Sequence, residues 1–225
     1  MKLDRRYVLA AGGALVAAGA LAFYGFQDRR LTATQVPGLS EATAQTRDLS
    51  SLDEPPSIGE RALGAEDAPV TMIEYASATC PHCARFHTDT LPTLKAEYVD
   101  TGKVRFVFRE FPFDDLAMAA FMLARCAPEE RYFALIEVLF EQQETWTRNP
   151  RPELLKIARV AGFTPETFEQ CLKDEDMAKA ILEIRTTADE QYGVSSTPTF
   201  FVNGKVITGN QPIEQFRQAI EEAGG

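Results

Sequence analysis

Two cysteines separated by two residues, in Cys80-Pro81-His82-Cys83, form the pattern with the clearest chemistry in this chain. The motif follows a short apolar run, residues 69–75, and begins a segment with helical spacing. A cysteine in the first turn of a helix faces unpaired backbone N–H groups, so we expect the pKa of Cys80 to lie below the usual value of about 8.5. Cys83, one turn later on the same face, can close a disulfide with Cys80 and displace a substrate sulfur from it. The motif therefore predicts a redox-active dithiol.

The two intervening residues, Pro81 and His82, are expected to tune this dithiol. An imidazole beside Cys80 supplies positive charge or a hydrogen bond to the sulfur, and either one stabilises the thiolate. Because a stabilised reduced form makes the disulfide a stronger oxidant, His82 favours an oxidising site.

Zinc binding is the alternative interpretation, since a C-x-x-C pair is half of many zinc sites. The other two cysteines, Cys126 and Cys171, are distant from the pair, and the chain has no second C-x-x-C and no H-x-H. His87 could join Cys80 and Cys83 as a third ligand, but we expect it on the surface of the helix. We therefore expect neither a metal nor another cofactor.

The first 26 residues predict export from the cytosol. Lys2, Arg5 and Arg6 precede an apolar stretch, residues 7–26, which contains a triplet of the kind that signal peptidases accept. Arg5-Arg6 also resembles a twin-arginine export signal. The alternative to a cleaved signal peptide is a membrane anchor, because residues 7–26 are nearly long enough to span a bilayer and could act as a tether. In both cases the remaining chain reaches a compartment where disulfides persist.

Composition divides the rest of the chain into two parts. Residues 27–56 are rich in Thr, Ser, Gln, Asp, Glu and Pro, which predicts a flexible linker. Residues 57–225 have the length of one domain, and the 45% apolar content of the chain is enough for a core. The net charge of -10 argues against nucleic acid as a partner.

The elements that must position the cysteines can be predicted from periodicity and turn residues. A strand, a helix and a strand form a βαβ unit, a helical block follows, and Asn203-Gly204 joins two short apolar runs as a type I′ hairpin before a last helix. The predicted bounds are 69–75, 80–98 with a kink at Pro92, 104–108, 114–192, 199–202, 205–207 and 212–222.

Two motifs within residues 57–225 carry a resemblance to a known family. They are EYASATCPHC at 74–83 and STPTFFVNG at 196–204. Through them the chain resembles the DsbA family of bacterial periplasmic thiol-disulfide oxidoreductases. The resemblance implies an α/β, thioredoxin-like fold with a helical insertion at about 114–192, a periplasmic location and a protein that we expect to be monomeric.

The resemblance and elementary physics together assign roles to three further residues. Glu74 lies in a strand expected to be buried on both faces, so its pKa should be raised, and in the family such an acid serves through water as a base for the second cysteine. Thr197-Pro198 matches the cis proline that faces the family's active-site disulfide and presents the backbone of Thr197 to a substrate strand. The best-known oxidases carry valine before this proline, so threonine leaves the direction of electron flow open.

Cys126 and Cys171 are the only remaining partners for a second disulfide once Cys80 and Cys83 are assigned. That bond would stabilise the helical insertion by about 2 to 4 kcal/mol. Two buried free thiols are the alternative.

We expect a thiol-disulfide oxidoreductase that introduces disulfide bonds into exported proteins. Its partners would be unfolded or reduced exported proteins and a membrane redox partner that resets the Cys80-Cys83 pair. The alternatives are a disulfide isomerase or reductase of the same fold, and a non-catalytic module that binds thiols or metal or acts as a chaperone.

Overall fold

The computed structural model describes residues 49–224, and the order of its elements is the predicted one with one strand added. The strands are β1 (Arg61–Leu63), β2 (Val70–Ala76), β3 (Val104–Glu110), β4 (Thr199–Val202) and β5 (Lys205–Thr208). The helices are α1 (81–99), α2 (Asp115–Cys126), α3 (Tyr132–Glu141), α4 (Gln143–Trp146), α5 (Pro150–Val160), α6 (Pro165–Cys171), α7 (Glu175–Glu190) and α8 (Ile213–Gly224), with a 3-10 turn at Glu129–Arg131.

Helix α1 changes its winding along its length. It begins as an α-helix, passes through a π-helical segment at Phe86–Thr90, returns to α-helix at Leu91–Leu94 and ends in a second π-helical segment at Lys95–Val99. The predicted kink at Pro92 therefore takes the form of a local change of winding. Proline has no N–H to donate, and the wider turns on both sides of it keep the helix continuous.

The five strands form one mixed sheet in the order β1-β3-β2-β4-β5. Strands β2 and β3 are parallel and joined by α1, as in the predicted βαβ unit, whereas all other neighbours are antiparallel. Glu74 lies in the central strand β2, opposite Phe108 of β3 and Phe200 of β4. The hairpin between β4 and β5 turns at Asn203 and Gly204, whose φ angles of 42° and 86° suit the predicted type I′ turn.

The sheet has a hydrophobic core on each face, because successive side chains of a strand point to opposite sides. Met72 and Ala76 of β2 pack in the larger core with α1, α8 and the helical insertion. Ile73 and Tyr75 pack in the smaller core with residues of α7. Glu74 has the parity of Met72 and therefore faces α1.

The predicted linker is wrong over its described part, residues 49–56. Leu52 is only 4% exposed and belongs to the smaller core, and Ser51 hydrogen-bonds to Tyr192. The backbone carbonyl of Glu54 accepts a hydrogen bond from the buried Arg109. Polar composition concealed this packing, because two leucines, Leu49 and Leu52, and backbone groups make most of the contacts.

The predicted export segment, residues 1–26, and the first part of the predicted linker lie outside the described residues. Between residues 49 and 224, every helix is too short or too polar to cross a membrane.

Candidate active site

Cys80 occupies the N-cap of α1, at the junction between the sheet and the helix. Its backbone is extended, and Pro81 begins the helix. A turn connects Cys80 to β2, and in this turn the Cys80 N–H donates a hydrogen bond to the Ser77 carbonyl at 3.0 Å. Cys80 is 8% exposed and Cys83 is completely buried. Both are free thiols. A partner molecule can therefore reach the first sulfur, while the second lies behind it.

The surroundings shift the pKa values of the two thiols in opposite directions. A hydrogen bond from the Cys83 thiol, supported by hydrogen bonds from the backbone of Cys83 and His82, lowers the pKa of Cys80 to about 5 despite burial. Burial, together with that same hydrogen bond and the charge of Glu74, raises the pKa of Cys83 well above its ordinary value. At neutral pH the pair is a thiolate at Cys80 and a thiol at Cys83.

The loop before β4 brings Thr197 and Pro198 to the cysteines across 117 positions of sequence. The peptide bond between them is cis. The carbonyl oxygen of Thr197 lies 3.3 Å from Cys80 Sγ. The juxtaposition that the resemblance implied is therefore present in the fold.

Glu74 is completely buried and pairs with His87, whose Nε2 lies 2.8 Å from Glu74 Oε2. Burial raises the pKa of Glu74, an effect only partly offset by His87. The expectation that His87 lies on the helix surface is wrong. His87 follows Cys83 by one helical turn and shares its inward face, and a buried carboxylate needs a polar partner.

His82 is exposed and contacts Arg85 within α1. Arg85 Nη2 lies 2.7 Å from His82 Nδ1. A guanidinium has only donors, so Nδ1 accepts this hydrogen bond and the proton of the ring lies on Nε2. The His82 side chain thus contacts Arg85, and the hydrogen bond of His82 that lowers the pKa of Cys80 comes from its backbone.

Gln143 of α4 is a site residue that sequence reasoning missed. Its buried side-chain amide donates to the carbonyl oxygens of Ala78 and Cys80, at 2.8 and 3.0 Å. These bonds attach the helical insertion to the backbone on both sides of Thr79. One glutamine in a helical block carries no periodic signal, so nothing in the sequence distinguished it from its neighbour Gln142.

Cys126 and Cys171, which lie at the ends of α2 and α6, are joined by a disulfide with a Cα–Cα distance of 6.1 Å. Within residues 49–224, no three His, Cys, Asp or Glu side chains are grouped so that they could hold a metal ion. In particular, His87 Nε2 is directed at Glu74 and not at the two active-site sulfurs.

Similarity to known proteins agrees with this fold and site. A family model described as thioredoxin matches residues 57–222. A putative protein-disulfide oxidoreductase of Rickettsia bellii is 37% identical over 164 residues, which are 72% of this chain and 63% of that protein. The match thus spans less than two thirds of that relative's length.

Two further relatives are matched over most of their length. Disulfide bond formation protein D of Bacillus subtilis is 32% identical over 178 residues, covering 74% of this chain and 78% of that protein. The crystal structure of alpha-DsbA1 of Wolbachia pipientis superposes with a TM-score of 0.70 at 30% identity, covering 76% of this chain and 93% of that one. The chain therefore belongs to the thioredoxin family, in the group that contains the DsbA-type thiol-disulfide oxidoreductases.

Proposed function

We propose that this protein is a thiol-disulfide oxidoreductase that introduces disulfide bonds into exported proteins. One observation carries the proposal, namely the opposite shifts in pKa of two cysteines only three positions apart. A thiolate at Cys80 is stable at neutral pH, so Cys80 is a good leaving group and the disulfide with Cys83 is easily reduced by a substrate.

The reaction transfers two electrons from two substrate thiols to the Cys80–Cys83 disulfide. A substrate thiolate attacks Cys80 Sγ, the Cys80–Cys83 bond breaks, and its electron pair goes to Cys83, which takes up a proton. A second substrate thiolate then attacks the substrate sulfur of the mixed disulfide and releases Cys80 as a thiolate. Glu74, buried behind Cys83, is the proposed group that exchanges the proton with Cys83.

Two surfaces beside Cys80 are suited to an unfolded substrate. The backbone of Thr197 can pair with an extended segment, with Pro198 holding the loop beside the sulfur. A groove beside the motif is lined by Pro81, Leu116 and Phe140 among mainly polar side chains. Contacts to backbone and apolar side chains would accept many sequences, as an enzyme acting on reduced exported proteins requires.

The proposal includes a location and a partner. Residues 1–26 would export the chain to the periplasm as a signal peptide or hold it there as an anchor, with residues 27–48 as the linker. A membrane redox partner would take the two electrons from the reduced pair. We propose that the protein works as a monomer.

Alkylation of the reduced protein tests the assignment of the nucleophile. Cys80 should react alone, with a rate that rises through a midpoint near pH 5, because its pKa is lowered to about 5. Modification of Cys83 first, or a midpoint near the ordinary thiol value of about 8.5, would contradict it. A module that only binds thiols or acts as a chaperone has no need of the low midpoint.

The reduction potential against glutathione tests the direction of electron flow. An oxidase should lie near about -120 mV, and a reductase near about -270 mV.

The dependence of the reduction potential on pH adds a second criterion. The folded, reduced protein is stabilised by the Cys80 thiolate as pH rises from about 5 towards the ordinary thiol value, and this stabilisation is lost as pH falls back to about 5. The potential should therefore fall by about 30 mV per pH unit above that midpoint and by about 59 mV below it.

A further inference from the structure

We propose that His87 is a positioning residue that passes protons between Glu74 and a surface cleft that lies farther along α1 than the substrate groove. The inference deepens the proposed function and rests on it. It assigns to this chain a route by which the proton of Cys83 is exchanged while a substrate covers Cys80.

The two fully buried glutamates of the described chain show why Glu74 is suited to this task. Glu110 uses both carboxylate oxygens, since Arg125 bonds to both and Tyr132 donates to Oε1. Glu74 uses only Oε2, which contacts His87, and its Oε1 has no hydrogen-bond partner among the described residues. A fully bonded carboxylate is structural, whereas a carboxylate whose charge acts on Cys83 and which keeps one oxygen available can take or give a proton.

The ring of His87 is held in place on the other side of this contact. It stacks on Phe140 of α3 with a centroid distance of 4.2 Å and meets Phe86 and Phe108 edge to face. The π-helical segment Phe86–Thr90 contains His87. Apolar rings fix the imidazole plane but offer it no hydrogen bond, so the contact with Glu74 sets which nitrogen faces inward.

A cleft between α1 and α3 gives His87 access to solvent. His87 lines it together with Leu91 and Phe133, and the charged residues at its edge are Lys95, Asp100 and Glu137. Lys95 and Asp100 bond to each other at 2.6 Å. None of the residues that line this cleft lines the groove beside Pro81. Since Nε2 faces Glu74, Nδ1 is the nitrogen that can exchange a proton with water in the cleft.

The protons balance in both directions of the reaction. When a substrate breaks the Cys80–Cys83 bond, the Cys83 sulfur receives the electron pair and a proton from Glu74, and His87 returns a proton from water to Glu74. When the pair is reoxidised, Cys83 gives its proton to Glu74 as it attacks the mixed disulfide at Cys80, and His87 passes the proton to water. His87 is unchanged after each cycle.

Acid-quenched mixing of the reduced protein with oxidised glutathione, followed by mass spectrometry, separates the two chemical steps. Glutathionylation of Cys80 depends on glutathione concentration, and its resolution by Cys83 does not. In His87→Gln, resolution should slow by about tenfold while glutathionylation is unchanged, because only Cys83 requires the relay. Glu74→Gln should slow resolution at least as much, and the double variant no further, since both act on one route.

Leu91→Ala is the matched control, because it removes bulk from the same cleft but no titratable group, and it should resolve at the normal rate. A normal rate in His87→Gln, or additive effects of the two relay variants, would overturn the proposal. If instead the unaltered protein fails to form or resolve the mixed disulfide, the proposed function itself fails.

A measurement on the unaltered protein decides the matter if the His87 variant does not fold. The chain contains two histidines, so ring-nitrogen NMR of histidine-labelled protein gives two sets of signals, which His82→Leu assigns. The ring-nitrogen signals of His87 should differ between the reduced and the oxidised protein at the same pH, because the relay couples the ring to Cys83. Identical signals in both states would refute the relay.

Discussion

The two cysteine pairs of this chain have the same kind of side chain but differ in spacing, in bonding and in their polar surroundings. Cys80 and Cys83 lie one turn apart at the start of a helix and are free thiols with opposed pKa shifts. Cys126 and Cys171 lie 45 positions apart at the ends of two helices and are bonded to each other. The first pair has hydrogen-bond donors directed at one sulfur and a carboxylate behind the other. The second pair is packed against the apolar core of the helical insertion.

This difference shows that the environment of a sulfur decides its chemistry. A disulfide is easy to reduce when one of its thiols is stabilised as a thiolate. The groups around Cys80 stabilise its thiolate in this way. A disulfide that closes a long loop stabilises the fold mainly by restricting the unfolded chain. The same covalent bond is therefore reactive in one place and structural in the other.

Disrupting each pair in turn should give the largest difference in the rate of thiol-disulfide exchange. We expect Cys80→Ser to lose thiol-disulfide exchange with a reduced two-cysteine peptide by about a thousandfold or more, because the nucleophile is gone. The double variant Cys126→Ser/Cys171→Ser should keep its exchange rate within a factor of a few. If both variants lost the exchange rate to a similar extent, the assignment of one pair to catalysis and the other to stability would be wrong.

The second pair should matter for stability instead. Without the bond that closes the 45-residue separation, the free energy of unfolding should fall by about 2 to 4 kcal/mol. Urea unfolding of the Cys126→Ser/Cys171→Ser protein measures this, with Cys80 and Cys83 kept reduced in both samples. An unchanged unfolding midpoint would mean that the bond does not constrain the unfolded chain.

Gln143 tests how far the helical insertion supports the reactive pair. Gln143→Leu keeps the bulk but removes the amide that donates to the carbonyls of Ala78 and Cys80, of which the Cys80 carbonyl keeps the N–H of Ala84 at 3.1 Å. The loss should cost about 1 to 3 kcal/mol of unfolding free energy. The alkylation midpoint of Cys80 should stay near pH 5, since Cys83 and the backbone of His82 supply its hydrogen bonds. The exposed neighbour Gln142 provides the control, and Gln142→Leu should be neutral.

The strands, the hairpin and the helix start could be predicted from the sequence because each depends on a short run of neighbouring residues. The apolar runs gave β2, β3 and β4, the Asn203-Gly204 dipeptide gave the hairpin, and the position of the motif after a strand gave Cys80 at a helix start. Strand β1 was missed because three residues are too few for a periodic signal, and its pairing with β3 uses backbone groups that any residue supplies.

The features that escaped prediction depend on tertiary contacts between polar groups. The pairing of Glu74 with His87 and the bonds of Gln143 join residues on separate elements, and a single sequence contains no signal for such pairs. The packing of residues 49–56 escaped for the same reason. Spacing alone could have placed His87 inside, because it shares the face of Cys83, but composition favours a surface position for histidine in a polar stretch.

The smallest expected effect concerns His82 and Arg85, which we expect to tune the Cys80–Cys83 pair and not the Cys126–Cys171 disulfide. Replacing His82 by leucine removes a polar ring next to Cys80 and leaves Arg85 without its 2.7 Å contact. The thiolate should lose stabilisation, and the exchange equilibrium with glutathione should shift by about tenfold, or about 30 mV, towards a less oxidising disulfide.

Arg85→Gln distinguishes the ring from the charge, because it leaves the imidazole in place and removes the guanidinium. If Arg85 supplies the positive charge through His82, the two variants should shift the equilibrium in the same direction and the double variant should add little. An unchanged equilibrium in His82→Leu would remove the histidine from the tuning of Cys80. The hydrogen bonds from the Cys83 thiol and from the backbone of the motif would then account for the low pKa of Cys80, and the contrast with the structural disulfide would rest on them.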